Sequence, residues 1–145
     1  MTQTTAAQGL RMTRRFDASP ERLFEAWTEP NLASRWLFTT ASSESHSAEL
    51  DVRVGGKWTI VDRRDGVDYR ALGEYLEVDR PRRLVFSFGM PQFSPAFDRV
   101  VIEIAPDGQG SILTLIQERL PAEAVAATEQ GWREMFDRLE AALTG

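Results

Sequence analysis

The sequence predicts an α+β fold, an antiparallel sheet of six to seven strands with one long C-terminal helix, and three observations support this. Apolar residues recur at spacings of three and four in "SPERLFEAWTEPNLASRWL" and again after Pro121. Between those two stretches, from residue 46 to residue 119, the apolar period is two. The turns that break this run are short, and short turns join strands antiparallel as a meander because a parallel pairing needs a long crossover.

Leu10 and Met12 begin a first strand that runs to Phe16, after eight small and polar residues that are expected to fray. Ser19 is a good N-cap and Pro20 fits the first helical position, with Leu23, Phe24 and Trp27 on one face. Pro30 ends that helix and opens a second short one carrying Leu32, Arg35 and Trp36. His46, Ala48, Leu50, Val52 and Val54 then alternate with polar residues, which predicts a strand over 46–54. Gly55-Gly56 turns the chain into KWTIVDRR, Asp65-Gly66 is a hairpin signal, and VDYRALGEYLEV returns. RLVFSF, FDRVVIEIA and SILTLIQER complete the series, with turns at 89–96 and at PDGQG.

The last element is predicted to run from Pro121 to about Leu143, roughly 33 Å of helix. Trp132, Met135, Phe136 and Leu139 lie on its apolar stripe, opposite Glu129, Arg133, Asp137 and Glu140. Gly131 interrupts it, at a cost of roughly 1 kcal/mol against alanine. Either a close approach of a strand or room for the Trp132 indole would compensate, and both make the helix face a sheet. The alternative is a tolerated glycine on the solvent side.

The 145 residues are the usual size of one domain, here read as 1–145. Seventeen basic and 22 acidic residues give a net charge of −5 without long runs of one sign, which argues against nucleic acid or an anionic membrane surface as partner. No cysteine is present, so thiolate chemistry and Cys-based zinc sites are excluded. With one histidine and scattered carboxylates, no metal site and no cofactor are expected. No apolar run precedes the arginines of MTQTTAAQGLRMTRRF and none reaches the roughly 20 residues of a membrane span, so a cytoplasmic protein is expected.

The quoted pieces in their order, "FDASPERLFEAWTEPNLASRWL", "DVRVGGKW", "GEYLEVDRPRRLVFSF", "LTLIQERLP" and "GWREMFDRLEAAL", cover most of residues 10 to 143. Together they resemble the START-like, or helix-grip, superfamily (SRPBCC), in the branch named after the C-terminal domain of the Hsp90 ATPase activator. The resemblance implies a strongly curved sheet wrapped around the long helix, with an apolar cavity between them and Gly131 at the grip. It also implies a wide choice of functions, from lipid carriers and hormone receptors to polyketide cyclases and co-chaperone domains.

Residue chemistry narrows that choice only partly. No nucleophile elbow surrounds any serine, and Gly55-Gly56 is not a phosphate loop, so no catalytic residue is assigned. His46 shares parity with the apolar row of its strand and is a candidate acid or base at a cavity mouth, or else a solvated strand-end histidine. Glu49, Asp51 and Glu74 lie on strands; one facing an apolar cavity would serve as a general acid, while one facing solvent would pair with Arg53, Arg63 or Arg70.

Aromatic residues carry the strongest signal. Trp36, Trp58, Tyr69, Tyr75, Phe86, Phe88, Phe93, Phe97 and Trp132 fall on the sheet, its loops and the helix, where rings either fill the core or line a pocket of a few hundred cubic ångströms. The candidate ligand-binding residues are Trp36, Trp58, Tyr69 and Glu74, with Phe86, Phe88, Trp132 and Met135. The loop GMPQFSPAF, with two prolines, a methionine and two phenylalanines, is expected as a flap over the entrance.

The leading expectation is a protein that binds an apolar or amphipathic small molecule, lipid- or polyketide-like, without cofactor chemistry. A cyclase or hydrolase acting on such a ligand through Glu74, Glu49, Tyr69 or His46 is the second reading. A chaperone-related protein-binding module is the third, and association into a homodimer is left open.

Overall fold

The computed structural model describes residues 9–40 and 43–144. The expected fraying of residues 1–8 lies outside them. The elements are β1 (Leu10–Phe16), α1 (Pro20–Thr28), α2 (Pro30–Ala33), β2 (Ser45–Leu50), β3 (Lys57–Arg64), β4 (Val67–Asp79), β5 (Arg83–Phe88), β6 (Asp98–Asp107), β7 (Gly110–Gln117) and α3 (Val125–Thr144). All seven strands form one antiparallel sheet in the order β1-β7-β6-β5-β4-β3-β2. Strands β2 to β7 are the expected meander, and β1 closes the far edge on β7.

Local signals act as the sequence suggests. The Ser19 hydroxyl accepts the Arg22 backbone N–H at 3.2 Å, capping α1, and Pro20 takes the first turn. Gly66 and Gly108 hold positive φ angles in the β3–β4 and β6–β7 turns.

Two boundaries differ from expectation. β2 stops at Leu50 because residues 51–56 fold into a tight turn: the Arg53 and Gly56 backbone N–H groups donate to the Asp51 and Arg53 carbonyls, and Gly55 takes φ 86°. Val54 is therefore exposed instead of facing the core. The C-terminal helix begins at Val125, after a single 3₁₀ turn over Ala122–Ala124.

The core lies between the inner face of the sheet and the helices. Cross-strand rows such as Leu84, Ile102, Leu115 and Met12 carry apolar side chains from β5 to β1. Trp132, Met135, Phe136, Leu139 and Ala142 of α3 are buried against them. Phe136 meets Phe16 of β1 edge to face at 5.8 Å, and Arg14 of β1 bridges to Asp137 (2.9 Å) and Glu140 (2.7 Å) on α3. The curved sheet and its long helix match the expected helix-grip arrangement.

A side chain on Gly131 would meet nothing within 4 Å. The close-approach explanation for this residue is thus overturned: no strand or loop comes near the helix backbone at this point.

Candidate functional site

The inner face of β3 and β4 builds an aromatic platform. Trp58 lies opposite Gly73 in the β3–β4 register, and a Cβ on Gly73 would come within 2.8 Å of Trp58 Nε1 and 1.8 Å of the Ser87 carbonyl oxygen. The missing side chain lets the Trp58 indole lie across the sheet and donate to that carbonyl at 3.1 Å. Phe88 is nearly parallel to Trp58, 12° between ring planes and 6.4 Å between centroids.

Phe38 covers this platform. Its ring stacks on Phe88 at 4.7 Å and on Trp58 at 5.4 Å, and meets Trp132 edge-on at 5.6 Å. Its backbone is left-handed, φ 55°, a conformation that costs a bulky residue of order 1–3 kcal/mol unless its surroundings hold it. Two contacts to α3 do so. The Phe38 N–H points at Met135 Sδ at 3.0 Å, and Arg138 donates to both the hydroxyl (2.9 Å) and the carbonyl of Thr39.

Phe38 also lines a crevice, together with Trp27, Leu37, Leu50, Trp58, Tyr75, Leu84 and Phe86. Its unfilled space is about 10 Å³, room for one water molecule. The crevice is thus far smaller than the expected pocket of a few hundred cubic ångströms, and Trp132 touches Phe38 without lining it. Tyr75 is the only titratable side chain on the crevice wall. Burial, with the charge of Asp51 adding to it, pushes the Tyr75 hydroxyl well above the usual tyrosine range, so it stays protonated and makes no hydrogen bond among the described residues.

The four indole N–H groups are not treated alike. Trp36 donates to the Ala26 carbonyl at 2.9 Å, Trp132 to Gln117 Oε1 at 2.9 Å, and Trp58 to the Ser87 carbonyl as described. Trp27, 1% exposed, has no acceptor for its Nε1 among the described residues. An orphaned buried donor of this kind costs about 1–3 kcal/mol.

The eight candidate residues separate accordingly. Trp58 and Phe86 border the crevice and Phe88 forms its platform. Trp132 and Met135 back Phe38 from α3. Trp36 is fully buried in the core against Trp27, their rings edge to face at 4.6 Å. Tyr69 and Glu74 are elsewhere. Tyr69 lies under the Arg64 guanidinium (4.0 Å) and beside Phe93 (5.8 Å). Glu74 alternates with the inward-facing Gly73 and Tyr75, so its carboxylate is on the outer face and exposed.

The other polar candidates also face away. His46 is exposed at the start of β2, opposite Asp62 of β3, and Glu49 is exposed. Asp51 pairs with Arg53 at 2.9 Å. Asp62 is a buried carboxylate 2.9 Å from Arg64 Nε, an ion pair whose N–H is not aimed at the oxygen. No group of three His, Cys, Asp or Glu among the described residues could hold a metal.

None of the residues of the expected flap lines the crevice, although Met90 packs against the core. Phe93 stacks on Tyr69, and Phe97 lies against Gly89, where a Cβ would meet its ring at 2.8 Å. Phe38 lines the crevice and was missed by sequence reasoning, along with Trp27, Leu37, Leu50 and Leu84.

A sequence profile described as activator of Hsp90 ATPase homolog 1-like protein matches residues 17–144. The chain belongs to this family. Solved structures similar to this member include protein CV1439 from Chromobacterium violaceum, at 25% identity over 93% of this chain and 96% of that one, with a TM-score of 0.80. Protein NE0264 from Nitrosomonas europaea is 22% identical over 92% of each chain, with a TM-score of 0.75. An AHSA1-like protein from Aeromonas hydrophila shares 18% identity over 92% of each chain, with a TM-score of 0.74. No curated protein matches the sequence. These likenesses establish the helix-grip fold of the activator-like family member, and no helix among its described residues is long and apolar enough to cross a membrane.

Proposed function

We propose that this protein binds an apolar or amphipathic small molecule in the crevice between sheet and helices, and that Phe38 moves aside to admit it. The observation that carries this reading is the placement of Phe38. A left-handed, half-buried phenylalanine rests on a flat aromatic platform that a ligand ring would cover equally well. The crevice wall offers apolar surface and one neutral hydroxyl, with no carboxylate, imidazole or amine, which favours binding over turnover.

Titration with a naphthalene-based environment-sensitive dye tests the proposal. Saturable, one-to-one binding is expected, with displacement by lipid- or polyketide-like compounds and tighter binding by Phe38→Ala. A folded Phe38→Ala protein with no saturable binding would falsify it. A chaperone contact is the second reading, supported by the exposed Phe93 and Phe97 on one loop. A rise in Hsp90 ATPase rate that is lost in Phe93→Ser would favour it.

A further inference from the structure

The geometry points to a ligand that enters this crevice by a neutral carbonyl oxygen, accepted between the Trp27 indole N–H and the Tyr75 hydroxyl. This inference rests on the crevice being the binding site and names the functional group it selects. Of the four tryptophans, only Trp27 keeps its buried N–H unpaired, although Tyr and Trp normally find a partner when buried. Tyr75, 3% exposed, borders the same small space with a hydroxyl that no described residue engages.

The polar groups left on the wall are thus the Trp27 N–H, which only donates, and the Tyr75 hydroxyl, which can donate or accept, since the Trp58 N–H is spent on the Ser87 carbonyl. A carbonyl oxygen, with two lone pairs, can accept from both groups at once, whereas a hydrocarbon in the same place leaves the Trp27 donor unpaired. Charge narrows the class further. The wall is apolar and holds no cation among the described residues, so a carboxylate buried there would be left uncompensated. A ketone, ester or amide on an apolar ring system fits; a fatty-acid head group does not.

Matched probes test this: 2-acetylnaphthalene, 2-ethylnaphthalene and 2-naphthoate, titrated by tryptophan fluorescence against wild type, Trp27→Phe and Tyr75→Phe. The acetyl compound is expected to bind roughly tenfold or more tighter than the other two, the worth of one to two hydrogen bonds. Each substitution, which keeps the ring and removes one donor, is expected to shrink the preference over the ethyl compound. The carbonyl stretch of bound 2-acetylnaphthalene is expected at lower wavenumber than in hydrocarbon solvent, and to move back up in either variant, a change that a merely structural role would not produce. If the ethyl compound or the carboxylate binds as tightly as the ketone, or the stretch ignores both substitutions, the inference is overturned while the binding site stands. If none of the three binds, the inference and the proposed function fall together.

Discussion

Trp132 donates its indole N–H to Gln117 Oε1 at 2.9 Å, a hydrogen bond that joins α3 to β7 with both side chains almost wholly buried. Gln117→Leu removes the acceptor and leaves the indole unpaired, so a loss of about 1–3 kcal/mol is expected in urea unfolding. Trp132→Phe leaves the glutamine amide unpaired as well as losing area. The double variant is expected to cost less than the sum by about 1 kcal/mol; strict additivity would mean the two groups do not interact.

Gly131 is open to improvement. Its Cβ position is empty, so Gly131→Ala is expected to stabilise the protein by about 0.5–1 kcal/mol, a rise of a few degrees in Tm. A drop would mean that something does approach the helix backbone there.

At position 38 ring and backbone pull in opposite directions. Phe38→Ala loses half-buried aromatic contacts and keeps the left-handed backbone, so a cost of roughly 1–3 kcal/mol is expected. Phe38→Gly loses the same contacts but accepts φ 55° readily, and is expected to be more stable than Phe38→Ala by about 1 kcal/mol. Equal denaturation midpoints for the two would show that the conformation carries no strain.

Tyr75 links stability to alkaline pH. Its folded-state pKa is raised, chiefly by burial and then by Asp51, so its contribution is full below the ordinary tyrosine value of about 10 and is lost as pH rises beyond it. Thermal melts between about pH 9 and pH 11 are expected to show a steeper fall for wild type than for Tyr75→Phe. Identical slopes would place the hydroxyl in water.

The fold was legible because its signals are local: the Ser19-Pro20 cap, the period-two strands and the apolar stripe through Trp132, Phe136 and Leu139 each declare an element within a few residues. The site was less so. Trp27 reads as an ordinary core residue at helical spacing, and nothing in the sequence marks its N–H as the unpaired one. Phe38 was invisible for a related reason: a left-handed backbone is signalled by glycine or asparagine, and here the surrounding packing imposes it on phenylalanine. Tyr69 was misplaced because parity along β4 cannot say which part of its length the helices cover, whereas Glu74 falls out of parity with Ala71, Gly73 and Tyr75 and so faces outward. His46 shared parity with an apolar row and still ended in solvent, being too near the start of its strand.

The pairing of β1 with β7 has a kinetic consequence. Strands β2 to β7 zip together through neighbouring hairpins, but Leu10 must find Gln117 from the opposite end of the sequence, and that closure carries the largest entropy cost in the sheet. Because Arg14 on that strand also holds Asp137 and Glu140, the arrival of the first strand and the docking of the last helix are expected to be coupled, so that Arg14→Ala speeds unfolding more than it slows folding.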